Sequence, residues 1–337
     1  MSAHRTALTF VFSVLVFAVS VLSLLGCTTN MPGRSYTGTL PPLTPEEVEL
    51  QAGLHTHVRR LAEEIGERNV FRPEALESAA SYLVRSLESL GYSPAIQELQ
   101  SGGRKVKNIE AQLSGQSKRD EILVVGAHYD SVFGSPGAND NGSGVAAVLE
   151  LARLFRKKSP DRTIRFVFFT NEEPPNFGSE NMGSWHYAKR CRDGGETVVG
   201  MLSIETIGYY SDKKGSQEYP APFSLFYPDT ANFIGFVANP ASKDLLFRCI
   251  TSFRRHTQFP SEGIAAPSWI SGIDWSDHAC FWKFGYPAIM ITDTAPFRYP
   301  YYHTREDTPD KVDYERTARV VAGISRVIAE LAAAPQR

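Results

Sequence analysis

The sequence predicts an α/β fold, a single domain with a mixed, mostly parallel central sheet flanked by helices. Three observations carry this expectation. The apolar runs 122–127 and 164–169 each stop abruptly, the first at His128, Tyr129 and Asp130, the second at Asn171, Glu172 and Glu173. Between them an apolar-periodic helix over 145–155 completes a strand, helix, strand unit of the parallel type. A further apolar run, 198–204, also ends in a carboxylate, Glu205. Ligands of parallel sheets collect at the carboxyl ends of the strands. His, Asp and Glu gathered there suit Zn²⁺.

In chain order, Thr44-Pro45-Glu46-Glu47 has the form of a helix start, with Thr as cap and Pro at the first position. That helix runs to about Ile65, with His55 and His57 as solvated side chains. Arg72-Pro73 opens a second helix, whose Leu76, Leu83 and Leu87 fall at helical spacing until Gly91 stops it. Strands follow over 92–99 and 106–113, an antiparallel edge pair about the Gly102-Gly103 turn. After the central unit, a helix carries Trp185, His186 and Tyr187, with His186 packed or at the surface. A strand over 233–237, a helix over 244–255 and a loop over 260–272 come next. The apolar strand 286–291, a long aromatic loop over 292–309 and a closing helix over 312–331 complete the fold. Long loops rich in aromatic and charged residues are disproportionately functional.

The chain has 337 residues and a net charge of −2, so it offers no electrostatic footprint for nucleic acid. Its first residues are a short basic head and a long apolar run, which is a secretory signal. Leu24-Leu25-Gly26-Cys27 resembles the bacterial lipoprotein processing box, which implies a signal peptide over 1–26 and a lipid on Cys27. Residues 27–46, rich in Pro, Gly and Thr, read as a flexible tether, and 47–337 as the folded domain. No Asp follows Cys27, so the expected location is lipid-anchored in the cell envelope, at the outer membrane facing the periplasm. Cys191, Cys249 and Cys280 are too scattered for a zinc cluster and read as buried small hydrophobes.

The candidate metal ligands are His128, Asp140, Glu173, Glu205 and His303. A dinuclear site needs donors that can face two ions about 3.5–4 Å apart, and a carboxylate can bridge them. Asp140 sits in Gly137-Ala138-Asn139-Asp140-Asn141-Gly142, where small residues permit a tight turn, and is the expected bridge. Glu172 and Glu173 are adjacent, so one can bind metal while the other takes a proton from water. In Gly272-Ile273-Asp274-Trp275-Ser276-Asp277-His278, Asp274, Asp277 and His278 either line the substrate path or cap the next helix. Phe297, Tyr299, Tyr301 and Tyr302 suggest an aromatic wall beside His303, or ordinary loop packing.

Together HYDS at 128–131, GANDNGSG at 137–144, NEE at 171–173 followed by Gly178-Ser179, and YHTREDTPD at 302–310 resemble the M28 family of zinc aminopeptidases and carboxypeptidases. The resemblance spans about 106–331. It implies a zinc-peptidase (phosphorylase/hydrolase-like) architecture and two zinc ions per chain. One ion would be held by His128, Asp140 and a further acid, the other by Asp140, Glu173 and His303. Glu172 matches the family's general base and Asp130 the acid that holds the first histidine's far nitrogen. The further acid is usually Asp in the family, and here it is Glu205. The implied reaction is addition of zinc-activated water to a peptide carbonyl, most readily as an aminopeptidase. Two alternatives stand beside it: a mononuclear, glutaminyl-cyclase-like enzyme and a non-catalytic peptide-binding lipoprotein.

Overall fold

A computed structural model describes residues 28–101 and 103–334. Cys27 and the signal segment lie outside the described residues. Eight strands form one sheet in the order β1-β2-β4-β3-β5-β8-β6-β7. They are β1 (Ala95–Ser101), β2 (Arg104–Leu113), β3 (Lys118–His128), β4 (Arg162–Phe169), β5 (Thr197–Glu205), β6 (Ile234–Ala238), β7 (Ser261–Ala265) and β8 (Ala288–Thr292). The pairs β3/β4, β3/β5, β5/β8 and β6/β7 are parallel, and β1/β2, β2/β4 and β6/β8 antiparallel, so the sheet is mixed. Every residue of β4 is buried, as expected of a strand covered on both faces.

Seven α-helices cover the sheet among the described residues: α1 (Pro45–Val58), α2 (Pro73–Ser89), α3 (Gly142–Phe155), α4 (Gly183–Asp193), α5 (Lys243–His256), α6 (His278–Lys283) and α7 (Tyr314–Ala332). The larger core packs Leu54 of α1, Leu83 of α2, Leu151 of α3, Phe253 of α5 and Ile324 of α7 on one sheet face. A second cluster on the opposite face joins Tyr187 of α4 and Phe281 of α6 to Val124, Val167 and Met201. Thr44 and Glu47 close a reciprocal capping box at the start of α1. The helix then continues as a π-helical stretch, Arg59–Ile65.

Three expectations change in detail. β7 lies within the segment read as a loop. Ser261-Glu262-Gly263-Ile264-Ala265 has no apolar run, and edge pairing to β6 makes it a strand. His57 is half-buried rather than solvated, its Nδ1 2.5 Å from the Tyr82 hydroxyl and its Nε2 3.4 Å from Glu150. The segment read as a tether is docked at its start. There Arg254 donates to the Pro32 and Gly33 carbonyls, and the Ser35 hydroxyl accepts the Ser261 N–H. Cys191, Cys249 and Cys280 are buried free thiols.

Candidate metal centre

His128 is the last residue of β3, at the carboxyl edge of the sheet. Its Nδ1 lies 3.2 Å from the Asp130 carbonyl and 3.6 Å from Asp130 Oδ1. Its Nε2 faces three carboxylates: Glu205 Oε2 at 3.2 Å, Asp140 Oδ1 at 3.5 Å and Glu172 Oε2 at 3.8 Å. The other oxygen of Asp140, Oδ2, lies 3.1 Å from His303 Nε2, and Glu173 Oε2 lies 3.5 Å from the same nitrogen. Asp140 therefore stands between two histidines with one oxygen toward each. All five residues expected as ligands converge, although they come from three strand ends and two loops.

Local backbone conformation produces the convergence. Asn171, Thr206 and His303 hold left-handed φ values of 59°, 38° and 59°. Each stands at the site or next to it, and such values cost about 1–3 kcal/mol where Gly is absent. The turn at Asn171 separates the adjacent carboxylates: Glu173 faces His303, while Glu172 faces His128. Asp130 fixes that turn, because its Oδ1 and Oδ2 accept the N–H groups of Glu172 and Glu173, both at 3.1 Å. The Asp130 carboxylate therefore holds the acidic pair directly, while it is the Asp130 carbonyl that lies nearer His128 Nδ1. Asn141, the cap of α3, accepts from Gly144 and Thr206 N–H and donates to the Ile204 carbonyl, tying the Asp140 loop to the end of β5.

Burial dominates the electrostatics. It pushes the Glu172 carboxyl well above the usual range, offset in part by His128 and reinforced by Glu205 and Asp277. Glu173 is raised in the same way by burial, then by Asp140 and Glu172. Glu205 is raised by burial against the pull of His128. Burial disfavours charge on His128, yet Glu205 and Glu172 outweigh it and raise its pKa well above the ordinary value. Among the described residues, the ion-pair partners of Asp140, Glu172, Glu173 and Glu205 are these two imidazoles alone. Glu173 Oε1 is buried with no hydrogen-bond partner. An excess of buried, underpartnered carboxylates around two imidazoles is the donor chemistry of a divalent cation. Donor atoms of His128, Glu172 and Glu205, and of His128, Asp140 and Glu173, lie within 4.8 Å of one another. Glu172, read from sequence as a base, thus also stands within reach of the first cation position.

Several contributors escaped the sequence reading. Ser276 donates to Glu205 Oε2 at 2.7 Å. Asp307 is fully buried. Its Oδ1 accepts Asn139 N–H at 2.8 Å and the Tyr299 hydroxyl at 2.7 Å, and its Oδ2 accepts Asp140 N–H at 3.1 Å. Arg68, also fully buried, donates to the carbonyls of Tyr129, Pro136 and Gly137 and so holds the loop between His128 and Asp140. Asp307 lies within the 302–310 motif, which was its only sequence signal; Arg68 had none. Asp277 makes no capping hydrogen bond and sits buried behind the site, its carboxyl pushed up to about 7 by burial. His278 is buried away from the metal-competent groups, with Nε2 2.8 Å from the Ile273 carbonyl and its ring edge-on to Trp282.

A cleft of about 860 Å³, including its open mouth, begins at Glu205 and Thr206 and runs over β8, β6 and β7. Phe223, Tyr227, Trp275, Phe297 and Tyr302 form much of its lining. Two of the four loop aromatics are therefore wall residues. Tyr299 instead packs on Tyr209 and Tyr301 on Tyr299.

The fold and the site together define a metal-dependent hydrolase of the α/β class. The chain belongs to peptidase family M28, whose sequence profile matches residues 108–328. It is 35% identical over 292 residues to the uncharacterized protein YfbL of Escherichia coli K12, covering 84% of this chain and 88% of that one. It is 29% identical over 223 residues to aminopeptidase YwaD of Bacillus subtilis, covering 64% of this chain and 40% of that longer protein. The fold matches a zinc aminopeptidase from Bacillus subtilis with a TM-score of 0.67 at 16% identity, covering 85% of this chain and 96% of that one. It also matches the glutaminyl cyclase of Porphyromonas gingivalis with a TM-score of 0.62 at 20% identity, covering 83% and 98%. At these identities the structural likeness is one of fold.

Proposed function

We propose that the protein is a zinc-dependent aminopeptidase with two zinc ions. His128, Asp140 and Glu205 would hold one, and His303, Asp140 and Glu173 the other. The observation that carries this reading is Asp140, with one carboxylate oxygen 3.5 Å from His128 Nε2 and the other 3.1 Å from His303 Nε2. Bound there, zinc supplies Lewis acidity toward a carbonyl oxygen and lowers the pKa of water. Glu172 takes the proton of the attacking water and delivers it to the leaving amine. Asp130 keeps Glu172 and Glu173 turned apart. The cleft beside Glu205 receives the side chain of the N-terminal residue, and its apolar walls exclude water. The aminopeptidase named among the relatives supports the choice of substrate end.

Glu172→Gln tests the mechanism. It should keep its zinc and lose about 10²–10⁴-fold in kcat, the usual worth of a general base. His303→Ala should lose metal and activity together. Peptides with free and blocked amino ends, plus an N-terminal glutamine peptide, separate the classes. Release of single N-terminal residues supports the proposal, and ring closure without hydrolysis would transfer it to the cyclase class. No turnover of any peptide would point to a binding protein. Elemental analysis counts the metal. A steady single zinc, unchanged by Glu205→Gln, would overturn the dinuclear reading.

The N-terminus supports a lipid-anchored location, with Cys27 acylated after removal of 1–26 and the folded domain held at the outer membrane facing the periplasm. Metabolic labelling with a palmitate analogue checks it: Cys27→Ser should abolish the label, and equal labelling of both proteins would refute lipidation.

A further inference from the structure

Large apolar side chains are exposed in an uneven pattern. Phe71, Phe133 and Phe177 are 54%, 64% and 40% exposed, and Trp269 and Trp275 are 82% and 40% exposed. Phe133 lies in the loop whose ends are His128 and Asp140, and Phe177 is four residues after Glu173. Trp269 and Trp275 follow β7, and Trp275 lines the cleft that starts at Glu205. The two groups therefore stand on opposite flanks of the metal-competent carboxylates. One group sits over the β3/β4 side of the sheet, the other over the β6/β7 side.

The first group is a built surface. The rings of Phe71 and Phe133 meet edge to face at 5.6 Å, although they come from segments more than sixty residues apart. The hairpin end of β1 and β2 braces both neighbouring loops. Arg104 donates to the Val70 carbonyl at 3.0 Å, and Ser101 donates to the Asn176 side chain at 3.4 Å. The loops that carry the aromatic pair and Phe177 are thus both anchored to the same hairpin end, and all three rings stay exposed.

We propose that this aromatic rim is the subsite for the leaving peptide, and that the enzyme prefers oligopeptides with bulky apolar residues immediately after the cleaved bond. This rests on the aminopeptidase reading above. Glu172 follows β4 and hands its proton to the leaving amine, so that amine must lie on the β4 side of the site. Glu205 follows β5 and opens onto the cleft, which takes the N-terminal side chain. A substrate with its first residue in the cleft would continue past Glu172, on the β4 side of the site, toward the loops that carry Phe133 and Phe177. The rim is continuous with the catalytic site at both of its loops, and this continuity selects substrate as its occupant over a second copy of the chain.

Steady-state kinetics on the full zinc-loaded chain tests this with Leu-Phe-Phe, Leu-Gly-Gly and leucine p-nitroanilide. The wild type should favour Leu-Phe-Phe over Leu-Gly-Gly by roughly tenfold or more in kcat/KM, within the range that apolar contacts supply. In Phe71→Ser/Phe133→Ser that ratio should fall toward one through a rise in KM for Leu-Phe-Phe. Phe133→Leu should restore most of it. A wild-type ratio near one, with the anilide cleaved, would overturn the rim proposal and leave the aminopeptidase reading intact. Failure to cleave the anilide and both peptides would remove both. An unchanged ratio in the double variant, with a shift from dimer to monomer in sedimentation velocity, would assign the patch to self-association instead.

Discussion

At the residue scale, Glu205 stands where the family resemblance leads one to expect Asp, and its side chain is one methylene longer. The structure absorbs the longer arm by seating Glu205 Oε2 on the Ser276 hydroxyl at 2.7 Å, 3.2 Å from His128 Nε2. The Ser276 hydroxyl also lies 3.0 Å from that of Ser203. Ser276→Ala should therefore weaken zinc at the His128 position while leaving the fold intact, and zinc titration with a competing chelator reads it. Asp307 acts through others. It accepts the Asn139 and Asp140 N–H groups and lies four residues beyond His303, so it locks the loop of one expected ligand onto that of another. Asp307→Asn keeps the volume but sets an NH₂ group against a backbone N–H. It should lower zinc affinity at least tenfold, since removing an outer hydrogen-bond partner typically costs about 10–100-fold. Unaltered metal affinity would show Asp307 to be a folding residue only.

Legibility from the sequence followed the strength of the local signal. β3, β4 and β5 are long apolar runs that stop at polar residues, and both existence and function could be read from them. β7 is five residues with a central Gly and a Glu, and only its pairing with β6 makes it a strand. The five expected ligands were legible because each ends a strand or sits in a motif. The left-handed turns at Asn171, Thr206 and His303 were not, since nothing but tertiary packing demands φ > 0 at a Thr or a His. Gly144 shows how tightly elements are fitted around the site. A Cβ there would lie 2.3 Å from Asn141 Oδ1 and 2.4 Å from the Ile204 carbonyl, the contact between α3 and the end of β5. Gly144→Ala should cost about 1–3 kcal/mol in denaturant unfolding, the range for overpacking. It should also reduce zinc affinity, because the same contact positions Asp140 and Glu205.

At the scale of the whole molecule, the carboxyl edge of the sheet concentrates buried acids beyond those that face the histidines. Asp293 is fully buried; burial raises its carboxyl to about 7, against the opposing effect of Arg298 and the hydrogen bond from Asn139. Asp307 is raised to about 6 by burial. A carboxyl with a raised folded pKa holds its proton to higher pH in the native state than in the unfolded chain. Its stabilising contribution is complete below the unfolded value of about 4 and is lost as pH rises through the folded value. Metal binding has its own pH dependence, so the clean comparison is between metal-free proteins. Asp293→Asn can still accept from Asn139 Nδ2 and Tyr209 N–H, the two bonds that Asp293 Oδ2 makes at 2.9 Å and 2.8 Å. The variant minus wild-type difference in unfolding free energy, measured from pH 4 to pH 8 in chelator, should therefore rise with pH and level off above about 7. A difference that is flat over that range would mean that Asp293 ionises in the folded protein as readily as in the unfolded chain.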